Sequence, residues 1–196
     1  MRHTARLFVT GLLAVLLASA AEADAAQERA ARALAETLVE DTHSAMTARD
    51  LDQAARNDRL TKAIADAFAF DVWERFLVGD RELTEAERKE FRNLLPGFLA
   101  QLYAEQFGKG LQQQPEIRGA RAVRRDVLVE AAIPRASGKP LPVEYRIRDF
   151  EDRGPQVIDV MVGGVSFLLL KRDEFGGLIE REGVDGLLAF MRENSI

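Results

Sequence analysis

Cysteine is absent from the 196 residues, which excludes disulfides and thiolate metal sites and leaves the redox compartment open. Histidine is nearly absent. Its two copies, His3 and His43, are too few for a His-rich zinc centre. An excess of one charge is lacking as well. The 27 Lys and Arg against 32 Asp and Glu leave a net charge of −5, and this mildly acidic balance argues against a nucleic-acid binder. The most apolar run, Leu7 to Leu17, falls well short of the ~20 residues that a spanning helix needs, which excludes a multi-span membrane protein. Repeats and low-complexity tracts are missing too. What the chain has is 47% hydrophobic and 30% charged residues, a globular balance that can bury a core and excludes a disordered chain.

The N-terminus carries an ordered pattern. Arg2, His3 and Arg6 come before or at the start of the apolar run, and a small-residue stretch from Ala18 to Ala26, broken by Glu22 and Asp24, follows it. Positive, apolar and small-residue segments in this order read as a cleavable secretory signal peptide over residues 1–26, with a retained membrane anchor as the alternative. Because no cysteine follows the run, lipoprotein modification is excluded. The expected exported chain is a single domain over residues 27–196, large enough to bury one core.

Up to about Phe107 the apolar residues recur at helical spacing. Ala31, Leu34, Leu38, Thr42 and Met46 form the stripe of a first amphipathic helix. Leu60 to Val78 reads as a second, carrying Ile64 and Phe68 and then a dense patch of Phe70, Val72, Trp73, Phe76 and Leu77, and stopping at Gly79 and Asp80. Thr84 with Glu87 three residues on is a capping box. It opens a third helix whose stripe is Phe91, Leu94, Leu95, Phe98, Leu99, Leu102, Tyr103 and Phe107. Pro96 predicts a kink or two shorter helices near Leu95, and Gly108 and Gly110 predict the end.

From Arg121 the period drops to two. Val123, Val127, Val129, Ala131 and Ile133 alternate with Arg124, Asp126 and Glu130 and read as one strand. After the loop Pro134 to Pro142, Val143, Tyr145 and Ile147 alternate with Glu144, Arg146 and Arg148 to complete a hairpin. Val157 to Val162 and Val165 to Leu170 read as two more strands, joined at Gly163 and Gly164. A last helix runs from about Glu174 to Arg192, weakened by Gly183 and Gly186. The fold class is α+β, with N-terminal helices packed on a curved four-stranded antiparallel sheet and a C-terminal helix. That layout is compatible with a cone enclosing an apolar cavity.

Catalytic patterns are weak. Ser166, within Gly164-Val165-Ser166-Phe167-Leu168, lacks the second glycine of a nucleophile elbow. Gly108-Lys109-Gly110 is too short for a phosphate loop. Asp149, Glu151 and Asp152 fall in a turn, where solvation competes with any metal role. His43 lies beside the first apolar stripe and reads as a helix-surface histidine before a base. Asp159 remains a candidate buried base, so a small enzyme and a ligand-free interaction module stay open as alternatives.

Two strings of residues carry a family resemblance. Phe70-Asp71, Val78-Gly79, Glu87, Phe91, Leu95, Leu99 and Tyr103 form the first. The second, more specific because it joins several elements at fixed distances, is Asp159-Val160, Gly164-Val165-Ser166, Arg172 with Phe175, then Gly183 and Leu187. Both are similar to the MlaC family, also called the toluene-tolerance family of periplasmic phospholipid carriers. The likeness covers Gln27 to about Glu193. It departs at Pro155, at Lys171 and at Asp80-Arg81, where the family usually carries an aromatic, often a Tyr and usually a nearby Trp.

The resemblance implies an NTF2-like cone whose apolar slot holds the acyl chains of a phospholipid, without catalysis, metal or any cofactor beyond that cargo. It implies a periplasmic shuttle, expected to be monomeric and to bind no nucleic acid. Its partners would be an outer-membrane lipoprotein complex and an inner-membrane MCE-type ABC transporter complex, and its role the maintenance of outer-membrane lipid asymmetry. Hopanoid or another terpenoid is the alternative cargo, and a small NTF2-like enzyme the remaining alternative. The expected cavity wall comprises Phe98, Leu102, Tyr103 and Phe107 from the third helix with Val127, Val129, Tyr145, Ile147, Val160 and Val162 from the strands. Core packing is the competing role for each. Asp159 and Arg172 are expected to be structural or close to the headgroup, with Arg172 either pairing Asp159 or touching a phosphate.

Overall fold

The computed structural model describes the backbone of residues 4–107, 113–135 and 138–196, with side chains from Glu22 onward within those ranges. The predicted helix stop at Gly108 and Gly110 lies outside the described residues. In chain order the elements are α1 (Thr4–Thr47), α2 (Gln53–Ala67), α3 (Phe70–Val78), α4 (Glu85–Phe107), β1 (Glu116–Val123), β2 (Asp126–Ile133), β3 (Leu141–Phe150), β4 (Gly154–Val162), β5 (Val165–Ser166) and α5 (Phe167–Glu193). Among the described residues no helix is long and apolar enough to cross a membrane.

The helices follow their apolar stripes. Ala31, Ala35, Leu38, Val39 and Thr42 of α1 are buried, and the Thr42 hydroxyl satisfies itself inside the helix by donating to the Leu38 carbonyl at 2.7 Å. Asp52 caps α2, accepting from the Ala55 amide at 2.8 Å. The single helix expected over Leu60 to Val78 is two. The chain leaves helical geometry at Phe68 and Ala69, where the Ala69 amide and Trp73 Nε1 donate to the Val157 carbonyl of β4 at 3.0 and 3.2 Å. Docking to the sheet thus overrides local helix propensity.

The capping box at the start of α4 is reciprocal. The Thr84 amide donates to Glu87 Oε2 at 2.6 Å, and the Glu87 amide donates to the Thr84 hydroxyl at 3.3 Å. α4 continues through Pro96 as one element, not as two shorter helices. Buried Glu74 of α3 accepts from Arg88 at 2.6 Å and lies 3.1 Å from Arg92, which ties α3 to α4.

The sheet is a five-stranded antiparallel meander in the order β1-β2-β3-β4-β5, not the four strands expected. The run read as one strand from Arg121 to Ile133 is a hairpin, turned by the two residues Arg124 and Arg125 with Arg124 at φ 59°. The expected strand Val165 to Leu170 is a two-residue strand followed directly by α5, which therefore starts at Phe167 and not near Glu174. Gly163 and Gly164, at φ 60° and 84°, make the two-residue connection before it, as a turn with two positive φ values requires. Non-helical Gly183, at φ 74° and ψ −178°, interrupts α5.

The strand phase is the predicted one. Cross-strand rows Val127-Ile147-Val157, Val129-Tyr145-Val160 and Ala131-Val143-Val162 share one face of the sheet. The rings of Phe91 and Phe98 on α4 pack against Phe175 of α5 at 6.1 and 5.5 Å, filling the opposite end of the core.

Candidate ligand cavity

Helices and sheet separate to leave a cavity of about 500 Å³, within the size range of small-molecule sites. Its walls come from every layer. α1 contributes Leu38 and Thr42, and the α2–α3 corner contributes Ile64, Phe68 and Trp73. The second half of α4 contributes Leu99, Leu102, Tyr103, Gln106 and Phe107. From β2, β3 and β4 come Ile133, Val143, Tyr145, Val160 and Val162, and from β5 and the start of α5 come Val165, Phe167, Leu170 and Lys171.

Of the residues expected in the wall, Leu102, Tyr103, Phe107, Tyr145, Val160 and Val162 are brought together here. Phe98, Val127, Val129 and Ile147 are not. Phe98 is covered by Phe175 and Phe190 of α5, and the other three are buried in the packed core. Leu38 and Thr42 belong to the stripe of the first helix, and Ile64, Phe68 and Trp73 to the apolar residues of the second, so their inward direction was readable while their facing a void was not.

One end of the cavity meets solvent. Val165 and Leu170, both lining it, are 60% and 55% exposed. Lys171, buried at 9% exposure, is the one charged residue among the described lining residues. Its ammonium donates to Glu174 at 2.6 Å and lies 5.6 Å from the ring centres of Phe98 and Phe167.

The interior polar groups are few and nearly all partnered. Thr42 donates to the Leu38 carbonyl, Tyr103 donates to the Thr42 hydroxyl at 3.2 Å, and Trp73 donates to the Val157 carbonyl. Burial pushes the Tyr103 phenol up, with the Thr42 bond opposing it. Burial pushes Tyr145 up further, with the nearby Tyr103 adding to the effect. Both phenols therefore stay protonated at neutral pH and serve as neutral donors.

Asp159 is fully employed below the rim. Its carboxylate accepts from the Ser166 hydroxyl at 2.7 Å, the Val160 amide at 2.8 Å and the Leu168 amide at 3.2 Å. Ser166 in turn caps α5 by accepting from the Leu169 amide at 3.1 Å. The Asp-Val and Gly-Val-Ser elements are thus a turn-and-cap device that sets Val165 and Leu170 at the exposed rim and Lys171 in the wall. Arg172 does not pair with Asp159. It is bound to neighbouring Asp173 at 3.2 Å and lies 5.2 Å from the Phe76 ring centre, on the outside. His43 does not line the cavity. Among the described residues no group of three or more His, Cys, Asp or Glu is placed to hold a metal ion.

The profile of the MlaC protein family matches residues 32–193. The chain belongs to the MlaC family. A solved structure with the same fold is the phospholipid-binding protein from Ralstonia solanacearum in complex with a phospholipid, which superposes at a TM-score of 0.70 over 84% of this chain and 96% of that one, with 21% identity. No curated protein matches the sequence. Asp159, Ser166 and Phe175, on which the sequence resemblance rests, all shape the rim or the core beside the cavity.

Proposed function

We infer that this MlaC-family protein is a phospholipid carrier. The observation that carries the reading is a cavity of about 500 Å³ with almost wholly apolar walls that opens at an exposed apolar rim. Such a site suits acyl chains, because each buried methylene contributes about 0.8 kcal/mol and needs no polar partner. The phospholipid bound by the Ralstonia solanacearum protein of the same fold supports the cargo class. Helices layered over a bulged antiparallel sheet around one cavity support an NTF2-like cone.

In this reading residues 1–26 are a signal peptide and residues 27–196 a single lipid-binding domain that works in the periplasm. It shuttles lipid between an outer-membrane lipoprotein complex and an inner-membrane MCE-type ABC transporter complex, and so maintains outer-membrane lipid asymmetry. The role is binding, not catalysis. Asp159 spends its oxygens on two amides and a hydroxyl, which favours a structural duty over that of a base.

Native mass spectrometry of the protein purified from a periplasmic extract, followed by lipid extraction, tests the reading. Phospholipid in roughly stoichiometric amount is expected. A clean apo mass that stays unchanged after incubation with phospholipid vesicles would overturn it.

A further inference from the structure

Two uncharged donors of the cavity wall, the amide of exposed Gln106 and the hydroxyl of buried Tyr145, donate to no described residue. Thr42, Tyr103 and Trp73 all give their hydrogens to protein oxygens. The Tyr145 hydroxyl lines the same cavity at 6% residue exposure and has no hydrogen-bond partner among the described residues. The residue is buried but its hydroxyl opens onto the cavity, so only the contents of the cavity can offer it an acceptor. Tyr145 is therefore built to receive an acceptor from whatever fills the space. Tyr103 beside it has already used its hydrogen and keeps an acceptor lone pair, so it does not compete for that role.

Depth narrows the acceptor. Tyr145 lies in the row Val129-Tyr145-Val160, and the next row towards the rim is Ala131-Val143-Val162, whose Val162 pairs with exposed Val165. Two residues along a strand span roughly 6.6 Å. The row that carries the unpartnered hydroxyl thus lies about that far below the exposed rim residue Val165. A lipid with its phosphate at the rim carries its ester oxygens at the start of the tails, at this depth.

We propose that Tyr145 is a polar subsite within the apolar cavity that donates a hydrogen bond to an ester carbonyl of the bound lipid and so selects diacyl over dialkyl cargo. This rests on the carrier reading above. The test is competitive binding, read by native mass spectrometry, of a diester phospholipid against the diether phospholipid of the same headgroup and tail length. The wild-type protein is expected to prefer the diester by roughly tenfold, the ratio that about 1.4 kcal/mol gives. Tyr145→Phe is expected to bring the ratio close to one while still binding both lipids. Equal binding of the two lipids by the wild type overturns the subsite and leaves the carrier intact, and needs no variant to fold. A diester preference that persists in Tyr145→Phe overturns the assignment to Tyr145. Failure of either lipid to bind overturns the carrier reading and this inference together.

Discussion

At the scale of single residues, the outer face of the sheet carries one buried ionic site. Asp126 at the start of β2 is 3% exposed and is held by Arg146 at 2.6 Å and by Arg148 at 2.7 Å from β3. Burial pulls its carboxyl upward, but the hydrogen bonds from Arg148 and Arg146, with their charges, outweigh that and hold it below the usual carboxylate range. A depressed folded value means that the contribution is present above the unfolded value near 3.9 and is lost as pH falls through the folded one. Asp126→Asn is expected to cost about 1–3 kcal/mol at pH 7, since the guanidiniums of Arg146 and the more covered Arg148 lose their anion. The gap to wild type should narrow below about pH 4, where the wild-type carboxyl also becomes neutral. Urea unfolding at pH 7, 5 and 3 measures this, and a gap of equal size at all three pH values would show that charge is not the cause. The alternation of Asp126, Arg146 and Arg148 against the valines was readable from spacing alone. Their convergence was not, because it depends on the strand register.

At the scale of elements, α5 shows how much one backbone angle decides. Gly183 sits at φ 74° and ψ −178° inside the helix span, a region that is essentially open to glycine only. Glycine to alanine within a regular helix stabilises by roughly 0.5–1 kcal/mol. Here the sign reverses, and Gly183→Ala is expected to destabilise by about 1–3 kcal/mol. A thermal or urea midpoint that rises would refute the strain. Element types were largely legible because α1, α4, β3 and β4 each keep one period over many residues. Three boundaries were not. Arg124 and Arg125 turn a hairpin without glycine, asparagine or proline, so nothing local marked the break between β1 and β2. The corner at Phe68 and Ala69 exists because Val157 on a distant strand accepts two bonds there. The apolar run Val165 to Leu170 fits a strand as well as a helix on hydropathy. Only the cap formed by Ser166, itself positioned by Asp159, turns it into α5.

At the scale of the whole molecule, periodicity names the face that points inward but not the places where two layers fail to touch. That is why Phe98, Val127, Val129 and Ile147 share a face with the cavity residues and yet are packed. α5 supplies Phe175 and Phe190 against Phe98, and Val127, Val129 and Ile147 are buried within the core. The lining side chains become exposed at Val165 of β5 and Leu170 of α5. Val165, Leu169 and Leu170 are the exposed large hydrophobics among the described residues, at 60%, 46% and 55%. Two of them line the cavity, so the rim is a continuation of the interior onto the surface. In the carrier reading a lipid tail leaving a bilayer passes over this rim, and covering it with apolar atoms during that passage lowers the cost of exposing the tail to water. The double substitution Val165→Asp and Leu170→Asp removes the apolar path while altering side chains that are mostly in solvent. Stability is therefore expected to stay within about 0.5 kcal/mol of wild type, and lipid uptake from phospholipid vesicles is expected to slow by roughly tenfold, as a loss of about 1.4 kcal/mol at the crossing would give. Uptake kinetics with stability measured in parallel separate the two effects. An unchanged rate in a folded double variant would mean that tails enter elsewhere.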